Sequence, residues 1–131
     1  MRHATHVRKR AEFERIQRNG ERVQTARFVL IFARNVEGDA PARLGVTASR
    51  KIGGAVVRNR AKRLVRGAFR ETRDLFAPGI DLVVIVRRSL AGLRLADVVA
   101  EWRGARGAVE RRVTGLLGAP AEPKKAEGTE P

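Results

Sequence analysis

The chain has 131 residues and no cysteine, and its 28 lysines and arginines outnumber 14 acidic residues to give a formal net charge of +14. The lack of cysteine excludes a disulfide framework and a thiolate metal site. Hydrophobic residues make up 43% of the chain, which is enough for one globular domain of this length. The charge excess predicts a polyanionic partner, and nucleic acid fits better than a membrane because no long apolar run is present.

The start of the chain lacks the basic segment and following apolar stretch of an export signal, so we expect a cytoplasmic protein. Residues 118–131 contain no Val, Leu, Ile, Met or aromatic side chain, and this composition predicts a disordered tail. We therefore expect one folded domain over residues 1–117, in which residues 1–5 are mobile.

Hydrophobic periodicity predicts a chain that alternates between helices and strands. Strands are indicated where apolar residues alternate with others, and helices where apolar residues recur every three or four positions. Glycine and proline mark the turns between them. The predicted elements are, in chain order, a helix over 6–20, strands over 23–34 and 43–49, a helix over 55–75, a central strand over 81–86 and a helix over 95–117.

The most informative segment is the basic helix within residues 50–73, which carries nine lysines and arginines and a single acid, Glu71. At 100° per residue, its apolar residues fall on one side and its cations on the other. The apolar side is therefore predicted to be buried. The predicted stripe consists of Val57, Ala61, Leu64, Ala68 and, at its margin, Val65.

The cations of this helix divide into two groups. Arg58, Lys62 and Arg66 recur every four residues as one ridge, and Arg60 and Arg63 lie round the far side. Like charges at this spacing destabilise an isolated helix, and no acid is interleaved to offset them. A bound polyanion would offset the repulsion, so we interpret this side as a binding surface rather than a solvated face.

A cleft beside the helix is a second candidate feature. If the ridge borders the sheet face that carries Val29, Ile31 and Thr47, the cations could hold phosphates while apolar groups receive bases. Phe13 of the first helix could belong to the same surface. The pattern equally allows Phe13, Val29 and Ile31 to be ordinary core residues, and it does not decide between the two interpretations.

Two adjacent stretches resemble the signature of the bacterial ribonuclease P protein family. They are LGVTASRKIGGAV at residues 44–56 and RNRAKRLVRGAFR at residues 58–70. Together they meet a pattern of G-x-(S/T)-x-(S/A)-(K/R)-K, a short glycine-containing spacer, and R-N-R-x-K-R-x-x-R. The resemblance covers roughly residues 6–117.

This resemblance implies an α+β fold, a small αβββαβα sandwich whose four-stranded sheet contains a left-handed crossover through the basic helix. It implies an accessory protein subunit of a ribonucleoprotein endoribonuclease that removes the 5′ leader of precursor tRNA. The RNA subunit would carry the catalysis and bind the Mg²⁺ ions. The protein would bind the catalytic RNA and the leader, one protein per RNA, and raise the affinity for substrate and Mg²⁺.

Carried over by position, the functional residues of the family fall into two sets. Those that would face the catalytic RNA are Arg50, Lys51, Arg60 and Arg63. Those that would line the leader cleft are Phe13, Val29, Ile31, Thr47, Arg58, Asn59, Lys62 and Arg66. Gln17 and Ile31 occupy positions where the family usually has aromatic residues, so we expect leader binding to rely more on phosphate contacts.

The sequence offers no catalytic or metal-binding motif for the protein itself. His3 and His6 are isolated, and the acids show no pairing typical of a two-metal site. A ribosomal or general RNA-binding protein without a role in tRNA processing is the alternative, and it would bind structured RNA without supporting precursor cleavage. DNA binding through the basic helix is disfavoured because strands, rather than a helix, precede it.

Overall fold

The computed structural model describes residues 7, 10–35 and 41–118. Short 3₁₀ turns at Arg50–Ile52 and Arg73–Leu75 flank the basic helix. The helices and strands are α1 (Arg10–Asn19), β1 (Glu21–Gln24), β2 (Phe28–Arg34), β3 (Arg43–Ala48), α2 (Ala55–Glu71), β4 (Ile80–Val86), α3 (Leu95–Gly104) and α4 (Arg106–Gly118).

The four strands form one sheet in the order β1-β2-β4-β3. Strand β2 pairs antiparallel with both β1 and β4, and β4 pairs parallel with β3. The connection between the two parallel strands is α2, as the sequence predicts. Strand β4 lies between two neighbours and is apolar on both faces, as expected for a central strand. The α+β class and the four-stranded sheet are thus confirmed.

Helices cover the two faces of the sheet unequally. Helices α2, α3 and α4 contribute to the larger core on one face, where Trp102 makes edge contacts with Phe28 and Phe76 at centroid separations of 5.8 and 6.1 Å. Among the described helices, α1 is the one that packs on the other face, over a smaller cluster that contains Val7, Ile16, Ile31 and other apolar residues. The described residues therefore cover this second face only in part.

The basic helix α2 has defined ends. Gly53 precedes it with a φ of 146°, and a Cβ atom there would lie 2.7 Å from Cγ1 of Val57, so the turn into the helix requires glycine. At the other end, Thr72 donates from both its amide and its hydroxyl to the carbonyl of Ala68. The chain then tightens into a 3₁₀ turn, so α2 ends at Glu71, before the predicted boundary at residue 75.

Two predicted elements are divided in the structure. The predicted strand over residues 23–34 becomes β1 and β2, because the intervening turn bonds to Glu101 of α3 through the Thr25 hydroxyl and the Arg27 amide. The predicted C-terminal helix is divided at Ala105 into α3 and α4. Most residues of the predicted tail, and residues 1–5, lie outside the described residues, so the predicted domain boundary stays a prediction.

Candidate nucleic-acid interface

Three rows of side chains cross the sheet face that α1 occupies, because residues paired in register point to the same side. The first row is Ala33, Asp81 and Arg43, and the second is Ile31, Val83 and Gly45. The third row, which we call the open row, is Val29, Ile85 and Thr47.

Helix α1 covers the first two rows and leaves the open row accessible. Ile31 and Val83 have no exposed surface, and Gly45 lies beneath the Phe13 ring, where a Cβ atom would be 2.8 Å from Cζ. Val29, Ile85 and Thr47 are only partly buried, as is Phe13 at their border. The face therefore offers an apolar floor one residue row wide beside α1.

The structure corrects one member of the predicted cleft. Ile31 is completely buried, because it lies under α1 next to Gly20, where a Cβ atom would be 2.6 Å from its Cγ2. Its side chain lies in the row beside the floor, covered by α1, and does not line the floor. Gln17 is half-buried on α1, and its carbonyl accepts a hydrogen bond of 2.7 Å from Arg22 of β1. The two positions that lack the family's aromatics therefore differ in accessibility.

The opposite end of this face is closed by a buried ion pair. The Asp81 carboxylate is fully buried and accepts two hydrogen bonds from Arg43 and one from Asn35. The Arg43 guanidinium also donates to Glu12 of α1 at 3.0 Å. The hydrogen bond to Asp81, with a further one to Glu12, raises the pKa of Arg43 above its ordinary value despite burial. These bonds fix α1 across the first row and so determine which row stays open.

The flanks of α2 face different neighbours. On one flank, Arg60 donates to the carbonyls of Leu90 and Leu93, and Gly67 lies against Leu95 of α3. At 100° per residue, the ridge of Arg58, Lys62 and Arg66 lies on the other flank, away from α3 and beside β3. Arg60 therefore lies on the flank that faces α3 and the loop after β4, whereas the ridge lies on the flank that faces away from α3.

The ridge does not stand on the open row as the cleft hypothesis assumed. Helix α2 packs on the face of the sheet opposite α1, with Ala61 and Val65 buried among the residues of the larger core. Because β3 is an edge strand, an RNA strand that contacts both the ridge and the open row would have to pass around the edge of β3. Helix α2 begins seven residues after β3 ends, so Arg58 lies at the same end of the sheet as Thr47.

The cations of this region have no acidic partners among the described residues. The ion pairs among the described residues use arginines of α1, α3 and α4, Arg27 of the β1–β2 turn and Arg43 of β3. No cation from Arg50 to Arg70 takes part in them. Half-buried Arg58 and Lys62 and exposed Asn59 and Arg66 therefore present unneutralised donors. This is the distribution expected of a surface that binds phosphates.

The residues predicted to face the catalytic RNA have two different environments. Arg50, Lys51 and Arg63 are exposed and without a carboxylate partner among the described residues. Arg60 instead bonds to the two carbonyls of the loop that follows β4 and holds that loop against α2. Its guanidinium therefore has a structural task that the helical spacing does not reveal.

One further residue belongs to the surface that sequence reasoning missed. Ile85 pairs with both Val29 and Thr47 and forms the middle of the open row. The alternation within the run DLVVIV places Asp81, Val83 and Ile85 on one face, so this signal was available in the sequence. The exposed Arg87 and Arg88 follow β4 at the same end of the sheet and add to its positive charge.

The described residues contain no cluster of three or more His, Cys, Asp or Glu side chains that could hold a metal ion. His3 and His6 lie outside the described residues. No helix in the described part of the chain has the length and apolarity needed to cross a bilayer. The interface consists of cations, an apolar row and one partly exposed aromatic ring.

An α+β fold that combines a cationic helix without carboxylate partners among the described residues and an open apolar row is typical of an RNA-binding protein. The family model described as Ribonuclease P matches residues 1–110. The chain belongs to the ribonuclease P protein family.

Similar proteins support this assignment along most of the chain. The ribonuclease P protein component of Syntrophus aciditrophicus is 40% identical over 95 residues, which cover 72% of this chain and 78% of the relative. That of Gluconacetobacter diazotrophicus is 38% identical over 112 residues, covering 80% and 96%.

Solved structures agree with the sequence comparisons. The RNase P protein of Staphylococcus aureus superposes with a TM-score of 0.71 at 28% identity, covering 85% of this chain and 99% of that chain. The Thermotoga maritima protein gives 0.68 at 32% identity, covering 79% and 96%. The chain is therefore a protein subunit of ribonuclease P, which acts in 5′ maturation of tRNA, and its partner is the RNA subunit of that ribonucleoprotein.

Proposed function

We propose that this protein is the accessory subunit of a cytoplasmic ribonuclease P in which one protein binds one catalytic RNA. The RNA carries the hydrolysis and its Mg²⁺ ions, and the protein binds the 5′ leader of precursor tRNA. The observation that carries this proposal is the open row of Val29, Ile85 and Thr47 beside Phe13, together with the cations of α2, which have no carboxylate partner among the described residues.

The shape of this surface suits an extended single strand. Its apolar floor is one residue row wide. Helix α1 lies along one side of this row, and the row ends at the edge strand β3. Phosphates can follow the ridge of Arg58, Lys62 and Arg66 while bases rest on the floor. Phe13 is the single partly exposed aromatic ring among the described residues, so phosphate contacts contribute most of the leader affinity.

The second RNA contact uses the exposed cations at the end of β3 and on the outer side of α2. Arg50, Lys51 and Arg63 can each neutralise a phosphate of the catalytic RNA and release its condensed counterions. The catalytic RNA and the precursor tRNA repel each other, and bound cations lower the Coulomb energy of this repulsion. The protein therefore reduces the Mg²⁺ concentration that the reaction needs.

Reconstitution with the cognate catalytic RNA tests the proposal. At low Mg²⁺, addition of the protein is expected to accelerate cleavage of a precursor tRNA that carries a leader of several nucleotides, and to tighten its binding. A precursor with a one-nucleotide leader is the matched control and should gain much less affinity. Binding of the RNAs without faster cleavage would instead indicate a general RNA-binding protein.

A further inference from the structure

A cavity of about 320 Å³ lies between the first turns of α2 and the loop that follows β4. Its lining residues are Val57, Arg60, Leu90, Ala91 and Gly92. The cavity is on the α3 flank of α2, and the ridge of Arg58, Lys62 and Arg66 is on the other flank. It is therefore separate from the open row.

The cavity is held in shape by bonds within the chain. Arg60 donates to the carbonyls of Leu90 and Leu93, which fixes the loop at two points. Within the loop, the Ala91 amide donates to the Ser89 hydroxyl at 3.2 Å, and Gly92 has a φ of 80°, which favours glycine. The walls are thus built before any ligand arrives.

The inner wall is apolar and accessible. Val57 is 38% exposed, although its position in the helical pattern predicts burial, and Leu90 forms the base of the wall with 1% exposure. Val56 beside it is 82% exposed but does not line the cavity. A lone exposed valine is ordinary on a protein surface, whereas Val57 forms part of a concave apolar site.

The charge around the cavity indicates a phosphate-bearing partner. Arg88 precedes Leu90 by two residues, Arg63 follows Arg60 by about one turn, and both are exposed without a carboxylate partner among the described residues. The acid nearest in sequence, Asp97, accepts a hydrogen bond of 2.8 Å from the Arg94 amide and caps α3. The cavity is thus lined without an acidic side chain, and the chain segments that form it carry exposed cations within three residues of its lining.

We propose that this cavity receives one unstacked nucleobase of the catalytic RNA, an inference that rests on the proposed function. Two donors of Arg60 are already bound to carbonyls, so the cavity offers the apolar stem and flat face of that side chain rather than a free fork for phosphate. Unpaired RNA bases bind such surfaces by stacking, and the flanking cations hold the adjacent phosphates. The α3 flank places the cavity away from the leader ridge.

The test is chemical probing of the catalytic RNA at single-nucleotide resolution, free and in complex with the full protein. Dimethyl sulfate and a carbodiimide reagent together report the Watson–Crick edges of all four bases. We expect one unpaired base to be protected by the wild-type protein. Val57→Gln should restore its reactivity and weaken RNA binding roughly fivefold, because an apolar wall is replaced by a polar one.

Val56→Gln is the matched control, because it makes the same change one residue away on a side chain that does not line the cavity. It should leave both the protection and the affinity as in the wild type. A second variant, Ala91→Phe, fills the cavity and should also restore reactivity, and circular dichroism melting checks that each variant folds.

Equal protection patterns for the wild type, Val57→Gln and Ala91→Phe would overturn the base-binding proposal. The proposed function would still stand in that case if the wild-type protein accelerates precursor cleavage. If the wild-type protein neither binds the catalytic RNA nor accelerates cleavage, both proposals fail. The two failures are therefore distinguishable in one set of measurements.

Discussion

The Arg43 guanidinium binds both oxygens of the Asp81 carboxylate, with 3.0 Å between Nε and Oδ1 and 2.7 Å between Nη2 and Oδ2. The two residues are register partners on β3 and β4, so the sheet itself brings them together. Because Arg43 also binds Glu12, the pair connects the sheet to α1. The position of α1, and with it the width of the open row, depends on this buried pair.

Asp81→Ala should destabilise the protein by about 3–5 kcal/mol, because it leaves a largely buried guanidinium without its main partner. Urea unfolding followed by circular dichroism measures the change. Asp74→Ala is the control, since Asp74 is exposed and its pairs with Arg103 and Arg106 lie at the surface. A small and equal effect of both substitutions would show that the buried pair does not fix α1.

The contact between α3 and the β1–β2 turn should make stability depend on pH. Burial raises the pKa of Glu101, but the hydrogen bonds from the Thr25 hydroxyl and from Arg27 outweigh it, so the pKa lies below its ordinary value of 4.5. The stabilisation is therefore fully present above pH 4.5 and is lost as the pH falls through the lower folded value.

Glu101→Gln should remove this acid-dependent loss and cost about 1–3 kcal/mol at pH 7, where the wild-type carboxylate is ionised. Urea unfolding at several pH values between 3 and 7 gives the free energy of unfolding as a function of pH and so measures both effects. Glu110→Gln is the matched control because Glu110 forms a single exposed pair with Arg106. An unchanged pH profile for Glu101→Gln would contradict the assignment.

Two glycines should respond to alanine with opposite signs. Gly45→Ala places a Cβ atom 2.8 Å from Cζ of Phe13, so the ring must move off the sheet, at a cost of about 1–3 kcal/mol. Gly104→Ala meets nothing within 4 Å and should stabilise α3 by up to about 1 kcal/mol. Thermal melting measures both, and leader affinity should fall only for Gly45→Ala. Destabilisation by Gly104→Ala would contradict the assignment of open space there.

Substitutions on the two cationic surfaces should affect different binding assays. Reversal of charge at Lys62 and Arg66 is expected to weaken leader-dependent binding of precursor tRNA. For the same pair, the slope of log affinity against log salt should fall by about 0.7 for each phosphate of the single strand that the variant no longer neutralises. Reversal at Lys51 and Arg63 should instead weaken assembly with the catalytic RNA. Equal effects of both pairs on both assays would refute the division.

Arg60 is left out of that comparison because its substitution has a second consequence. Arg60→Ala removes two hydrogen bonds to the loop after β4, so a loss of RNA binding would combine a missing charge with a displaced loop. Lys51 and Arg63 have no such bonds in the described structure, and their variants report on charge alone.

Hydrophobic periodicity was sufficient to predict which side of a strand or helix faces the core. The run of residues 81–86, apolar on both faces, predicted a central strand, and the period of α2 correctly placed Ala61 and Ala68 in the core. The same period placed Val57 in the buried stripe, but Val57 precedes the part of α2 that the sheet covers and remains 38% exposed. Periodicity identifies the side of a helix and not how far along it the core extends.

The amino-acid sequence by itself determined the family, the α+β class, the central strand and a basic helix without interleaved acids, because these depend on residue type and spacing. Tertiary structure alone decided that Glu101 divides the long strand, that Ile31 lies under α1, and that Arg60 anchors a loop. Each of these results depends on a contact between distant segments. The spacing of residues along one helix or strand does not specify which distant segment of the chain packs beside it.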